Sequence, residues 1–210
     1  IGVAVEAAAT YLGRDSEDAA RTASRAYIRR KFPFASSTHE LVRSAMDAAV
    51  ACGLPYPKAA QIVSVIAAEE TMESCLGGGR MSSIPSAVEA AKDAALAAGL
   101  PMKEASQITA LVSVRAVVRN QLKSDASVMT TAKSAVMAAK LAGLSPDAAG
   151  LTSATLISKE VANWMLSEEA KRGHSPAVVG NMAAKAALAC WRTCESFHHE
   201  HIPSSVVSQW

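Results

Sequence analysis

The feature that most constrains the fold is a nine-residue pattern that occurs three times at nearly even spacing. It reads Asp-Ala-Ala-x-Ala-x-Gly-Leu-Pro at residues 47–55 and 93–101, and a variant ending in Gly-Leu-Ser occupies residues 137–145. The Gly-Leu pairs are 46 and then 44 residues apart. Internal similarity at such a period is typical of stacked supersecondary units. The sequence therefore predicts an all-α protein built from tandem helix-turn-helix units of about 45 residues.

Each copy carries the residues that a helix, a tight turn and a second helix require. Alanine favours the first helix because it loses no side-chain entropy, and the chain contains 44 alanines. The glycine can adopt the left-handed conformation that ends a helix, and a following proline can begin the next one. Branched residues then recur at helical spacing, as at Ile62, Val65 and Ile66. We therefore expect a short helix followed by a longer one.

The periodicity predicts about nine helices and no strands, since no window alternates at period two with β-branched residues. The predicted helices span 3–12, 16–31, 38–52, 57–75, 86–98, 102–122, 127–142, 146–171 and 176–200. They form a single helical-repeat domain over 1–202, with units at about 1–34, 36–76, 83–122 and 127–171 and a half unit at 174–202, followed by an irregular tail at 203–210. Both a compact bundle and a short solenoid fit this pattern.

Composition excludes some classes of protein. No apolar run approaches the ~18 residues of a membrane-spanning helix, so no transmembrane segment is predicted. Four cysteines in 210 residues are too sparse for a secreted disulfide scaffold. The net charge of +2 identifies no class of partner. Because the chain begins at Ile1, we expect a processed or truncated chain, which is compatible with an organellar location but fixes no compartment.

Four potential metal ligands share one face of the last predicted helix: Cys190, Cys194, His198 and His201. Cysteine and histidine are the usual zinc ligands. However, residues eight apart on a helix are separated by ~12 Å, so a straight helix offers at most two ligands to one ion. We predict that the thiols pack as small apolar side chains and that the protein holds no metal and no cofactor.

Six residues are candidates for binding a partner: Arg21, Arg25, Arg29, Trp164, Trp191 and Trp210. The arginines form a stripe at helical spacing that fits either an acidic protein surface or a solvated face paired with neighbouring acids. The small charge excess and the 4% aromatic content argue against nucleic acid. The tryptophans either cap the core, anchor a partner or line the wall of an apolar ligand site.

No catalytic or nucleotide-binding signature is present in the sequence. The glycines at 77–79 are not followed by the Gly-Lys-Ser/Thr of a phosphate loop, and neither Gly-x-Ser-x-Gly nor His-Glu-x-x-His occurs. The adjacent acidic pairs at 69–70 and 168–169 are predicted to be solvated, because neighbouring helix positions diverge. An enzyme would need a buried His or Glu with a perturbed pKa in a cleft.

These observations predict a non-enzymatic structural or scaffold protein. It would be a subunit of a larger assembly that binds partner proteins or itself. The alternative is a carrier that encloses an apolar small molecule, a lipid or a pigment, between its helices. Abundant alanine leaves room for such a cavity and the eight methionines adapt to irregular shapes. A cavity above about 300 Å³ lined by Met and Trp would favour the carrier.

Overall fold

A computed structural model describes residues 15–31, 37–77, 83–124, 126–167 and 176–200. Within these ranges the chain is all-helical and contains no strand, which confirms the predicted all-α character. The described residues contain eight helices, where nine were predicted for the chain, and the expected helix at 3–12 and the tail at 203–210 lie outside them. The helices are α1 Ser16–Lys31, α2 Thr38–Ala51, α3 Tyr56–Gly77, α4 Ile84–Ala97, α5 Met102–Lys123, α6 Val128–Leu141, α7 Pro146–Leu166 and α8 Pro176–Glu200.

Three times in succession, a short helix is followed by a longer one. The short helices α2, α4 and α6 each have 14 residues, and the long helices α3, α5 and α7 have 22, 22 and 21. Ser37, Ser83 and Ser127 precede the short helices, and each hydroxyl accepts a hydrogen bond from a backbone N–H of the first turn. These bonds satisfy donors that have no partner within the helix.

The start of α4 differs from the prediction, which placed it at residue 86. Ser83 is the N-cap, and its hydroxyl lies 3.5 Å from the backbone nitrogen of Ser86. Pro85 follows within the first turn, where a missing N–H costs no hydrogen bond. The helix therefore gains two residues at its start.

The end of α7 also differs, because the sequence predicted a helix to residue 171 and the helix ends at Leu166. The next residue, Ser167, is extended, with ψ of 152°. Its backbone N–H and its hydroxyl both donate to the carbonyl of Trp164, at 3.2 and 2.7 Å. A serine hydroxyl that binds a nearby carbonyl offers the backbone an alternative to further helix.

The turn between short and long helix depends on a glycine in each pair. Gly53, Gly99 and Gly143 have φ of 84°, 88° and 105°, the left-handed region predicted for them. Each donates its N–H to the carbonyl three residues earlier, at 2.9 Å. The glycine thus reverses the chain immediately after the last helical turn.

Gly53 allows the cost of this conformation to be measured by itself, because a Cβ there would meet nothing within 4 Å. We expect Gly53→Ala to lower the free energy of unfolding by about 1–2 kcal/mol, the cost of a left-handed alanine. Gly53→Asn should lose less, since asparagine tolerates this conformation. Urea denaturation measures both. An alanine variant as stable as the asparagine variant would contradict the explanation.

The chain divides into two compact units, Ile1–Val112 and Ser113–Trp210. In the first unit α1 contacts α2 and α3, and α4 packs on α2 and α3. Many of its core positions are fully buried alanines, and the largest fully buried side chains include Ile28, Val42 and Ile66. Alanine fills little volume, so these helices lie close together.

In the second unit α6, α7 and α8 contact one another. The helices α7 and α8 approach each other closely at Gly150, where a Cβ would lie 2.5 Å from Sγ of Cys194. The same Sγ lies 3.5 Å from the carbonyl oxygen of Pro146, to which the thiol donates. The absence of a side chain at Gly150 is therefore what lets α8 reach α7.

Candidate functional site

Arg21 begins the predicted basic stripe, and its partner lies on the same helix. Its Nη2 is 2.8 Å from Oε1 of Glu17, one turn earlier on α1. Lys58 of α3 also binds Glu17, with Nζ 2.6 Å from Oε2. These hydrogen bonds, from Lys58 first and then Arg21, lower the pKa of Glu17. Arg21 is thus part of a small surface network of charges.

Arg25 and Arg29 extend from α1 to a buried carboxylate on α3, and we name Arg25, Arg29 and Glu70 the first clamp. Nε of Arg29 donates to both oxygens of Glu70, at 2.8 and 2.7 Å. Nε of Arg25 lies 3.3 Å from Oε1 of the same residue. The hydrogen bond with Glu70 raises the pKa of Arg29. Glu70 is only 8% exposed, so the guanidinium groups replace the water that its charge has lost.

Two more carboxylates of α3 flank the first clamp. Arg25 donates through Nη2 to Glu69, and Nη2 of Arg29 lies 3.3 Å from Oε2 of Glu73. The prediction that the acidic pair at 69–70 is solvated is wrong for Glu70, because the packing of α1 against α3 covers it.

The second unit contains a group of the same composition, and we name Arg115, Arg119 and Glu160 the second clamp. Nε of Arg119 lies 2.7 Å from Oε2 of Glu160, and Nε of Arg115 lies 3.2 Å from Oε1. Glu160 is 4% exposed. Each residue of the second clamp lies 90 positions after the corresponding residue of the first clamp. Sequence reasoning missed this group, and the signal that could have found it is the identical Arg-x-x-x-Arg…Glu spacing.

Both clamps hold one helix in register on another. A carboxylate that is buried among apolar side chains is costly unless a cation pairs with it. Any sliding of α1 along α3, or of α5 along α7, would separate the charges. Arginine does not release its proton in proteins, so these groups are suited to holding helices and not to acid–base chemistry.

The two thiols among the four candidate metal ligands lie inside the second unit, where they were predicted to pack as small apolar side chains. Cys190 and Cys194 of α8 are buried. Burial, with a smaller contribution from Cys194, raises the pKa of Cys190 to about 12, and burial also raises the pKa of Cys194. Protonated thiols are poor metal ligands. The side chain of His198 and all of His201 lie outside the described residues, and among the described ones no group of three potential ligands could hold a metal.

The tryptophans occupy different environments. Trp191 is 55% exposed on α8, which continues through this position as a helix. Trp164 is half-buried near the end of α7. Trp210 lies outside the described residues. Partner binding by these residues and by the arginines stays a prediction.

Among the described residues, the first unit has open grooves on its surface, including the following two. One of about 570 Å³ runs along α1 and is lined by Asp18, Arg21, Thr22, Arg25, Ala26 and Arg29. The second, of about 510 Å³, lies where α2, the start of α3 and the end of α4 meet, and we name it the α2–α4 groove. Its lining residues are His39, Glu40, Arg43, Met46, Asp47, Tyr56 and Ala97.

Comparison with known proteins identifies no relative from which a function could be inferred. No protein-family model, curated protein or solved structure matches the chain. In the part of the chain that the structure describes, none of the helices combines the length and the apolar character needed to cross a bilayer.

Proposed function

We propose that this protein is a non-enzymatic helical-repeat scaffold, a subunit of a larger assembly that binds partner proteins or further copies of itself. The observation that carries the proposal is the recurrence of one design along the chain. A serine-capped helix of 14 residues, a left-handed glycine and a helix of 21 or 22 residues follow one another three times.

The two clamps support the same proposal. They are 90 residues apart, which is two units of about 45 residues, and each joins a helix to the second helix after it in the chain, α1 to α3 and α5 to α7. A helix pair of this kind cannot bury its apolar side alone and is stabilised by stacking on its neighbours. If the unit arose by duplication, its copies would be expected to keep equivalent ion pairs at equivalent positions, as the two clamps do.

Exposed apolar side chains favour binding of proteins over catalysis. Among the described residues, five large ones are more than half exposed: Tyr56 61%, Met102 58%, Leu151 66%, Leu166 68% and Trp191 55%. Tyrosine, tryptophan and methionine are enriched at protein interfaces. The two buried acids of the described residues, Glu70 and Glu160, are in contrast already paired with arginine within the fold.

The carrier alternative gains no support from the two grooves. Both are open and lined mainly by charged or polar side chains, and neither is lined by a tryptophan. An apolar ligand would need an enclosed apolar cavity.

Native mass spectrometry on protein purified from its own source tests the proposal. We expect a complex with other protein subunits, or a defined homo-oligomer, with no additional small-molecule mass. Trp191→Ser should reduce the assembled fraction, because the ring is 55% exposed and offers that area to a partner. The neighbouring exposed Arg192→Ser is the matched control and should leave assembly unchanged. A monomer would contradict the scaffold, and a stoichiometric organic adduct would establish the carrier in its place.

A further inference from the structure

We propose that the exposed side chains of α6 and α8, which we name the α6–α8 face, form a docking surface for an acidic amphipathic helix of a partner protein. This inference rests on the proposed scaffold function and specifies the chemistry of one partner.

The α6–α8 face combines exposed apolar side chains with positive charge, and the two helices that form it contact each other. Their described side chains include six large apolar ones that are exposed, namely Met129, Met137 and Leu141 on α6 and Val178, Leu188 and Trp191 on α8. Lys133, Lys185 and Arg192 are exposed on the same helices, and no acid is present among the side chains described for either helix. Lys140 is half-buried and already interacts within the fold, so the exposed charge is that of the other three cations.

An equivalent pair of helices in the first unit shows that the fold does not require this chemistry. Helices α2 and α6 have the same length, a serine cap and a glycine turn, and each residue of α6 lies 90 positions after its counterpart in α2. Helix α4 contacts α2 as α8 contacts α6. Yet the described side chains of α2 and α4 include one exposed large apolar residue, Val50, and four exposed acids, Glu40, Asp47, Glu89 and Asp93. Core packing therefore does not explain the apolar and basic character of the α6–α8 face, whereas a bound partner would.

Three exposed positions of α6 carry a large apolar side chain where the counterpart in α2 is polar or small. The pairs are His39 and Met129, Asp47 and Met137, and Ala51 and Leu141. The three positions of α6 are eight and then four residues apart, so they lie along one side of the helix. An apolar row of this kind is what the apolar side of another helix binds, and methionine adapts its shape to a partner.

The charge of the face selects an acidic partner and argues against a second copy of this chain. Two copies that met through this face would bring like charges together, which is unfavourable at an interface. The acidic pair α2 and α4 of another copy would offer only Val50 as an exposed large apolar side chain among its described residues. An amphipathic helix with carboxylates beside its apolar side matches both the apolar residues and the cations.

A lipid surface fits this face less well than a helix does. Helices that bind to a membrane surface insert their apolar side ~5–10 Å below the headgroups. The six apolar side chains of the α6–α8 face are only 38–55% exposed, and both helices also pack against α7. Much of each side chain is thus held within the fold and cannot insert, whereas a partner helix can lie on the surface.

Fluorescence anisotropy on the full chain tests the face with a defined helix. The probe is a fluorescein-labelled peptide in which Leu-Glu-Ala-Leu-Leu-Glu-Ala is repeated three times, so that leucines follow one side of the helix and glutamates flank them. Matched peptides carry glutamine or lysine in place of every glutamate. At about 0.15 M salt we expect saturable binding of the glutamate peptide, about tenfold weaker binding of the glutamine peptide, and no saturation with the lysine peptide.

Two substitutions locate the binding to the face. Met137→Asp gives α6 the residue that α2 carries at the equivalent position, and Lys133→Glu reverses an exposed charge. Each should weaken binding of the glutamate peptide about tenfold, while circular dichroism shows an unchanged helix content. Met102→Asp and Lys103→Glu are the matched controls, because they make the same changes at exposed positions of α5. They should leave the affinity unchanged.

Four results would overturn the docking surface: no saturable binding of the glutamate peptide, equal binding of the glutamine peptide, equal weakening by the control substitutions, or binding to phosphatidylcholine–phosphatidylserine vesicles without binding to the peptide. The last result would identify a lipid surface as the partner. Each of these is distinguishable from failure of the scaffold function, because an assembly seen by native mass spectrometry would stand without this face.

Discussion

Replacing Gly150 by alanine should lower the free energy of unfolding by about 1–3 kcal/mol, the usual cost of forcing extra atoms into a packed core. The added Cβ would lie 2.5 Å from Sγ and 3.3 Å from Cβ of Cys194. The contact at 2.5 Å is too short for any Cβ, and the contact at 3.3 Å requires a shift of a few tenths of an ångström, so α8 must move away from α7 or the thiol must leave its position beside Pro146. Urea denaturation of the purified chain measures the loss.

Gly180 provides the matched control for this substitution. It lies within α8, and a Cβ there would meet nothing within 4 Å. Gly180→Ala should therefore raise stability by up to about 1 kcal/mol, because alanine favours a helix interior over glycine.

A double substitution identifies the clash itself. Cys194→Ala removes the Sγ and should recover part of the loss caused by Gly150→Ala, while the Cβ contact at 3.3 Å remains. If Gly150→Ala were as stable as Gly180→Ala, the close approach of the two helices would be disproved.

Removing both arginines of the second clamp should have the largest effect on stability. We expect Arg115→Met with Arg119→Met to lower the free energy of unfolding by about 3 kcal/mol. The side chain of Glu160 is 5% exposed, so its charge would remain buried without a cation. The value lies at the lower end for a broken buried ion pair, because the two arginine side chains are 36% and 59% exposed and solvent screens their attraction for the carboxylate.

The triple variant that also carries Glu160→Met separates the ion pair from packing. A buried ion network replaced by apolar side chains of similar volume is often neutral in stability, so most of the loss should be recovered. Lys159→Met, at the exposed neighbouring position, is the control and should change stability by less than about 0.5 kcal/mol. A triple variant as unstable as the double would show that the arginines act through packing and not through the charge of Glu160.

Local features of this protein follow from its sequence. Alanine-rich helices, the serine cap at Ser37 and the left-handed turn at Gly53 each depend on residues within a few positions of one another. These features depend on backbone sterics and on hydrogen bonds between nearby residues, so they form independently of the tertiary structure. The exact helix ends are less well determined by nearby residues. The N-cap of α4 is Ser83, although the helix was predicted to begin at Ser86, and Ser167 ends α7 before the predicted residue.

Tertiary packing decided the rest, because burial and ion pairing depend on which helices meet. The sequence identified Arg25 and Arg29 but not their partner, since Glu70 follows them by more than 40 residues and was expected to be solvated. Gly150 is an ordinary helical glycine until α8 places Cys194 against it. The sequence by itself thus determines where helices form and how they end. The packing of the helices on one another determines which charges are buried and which glycine cannot be replaced.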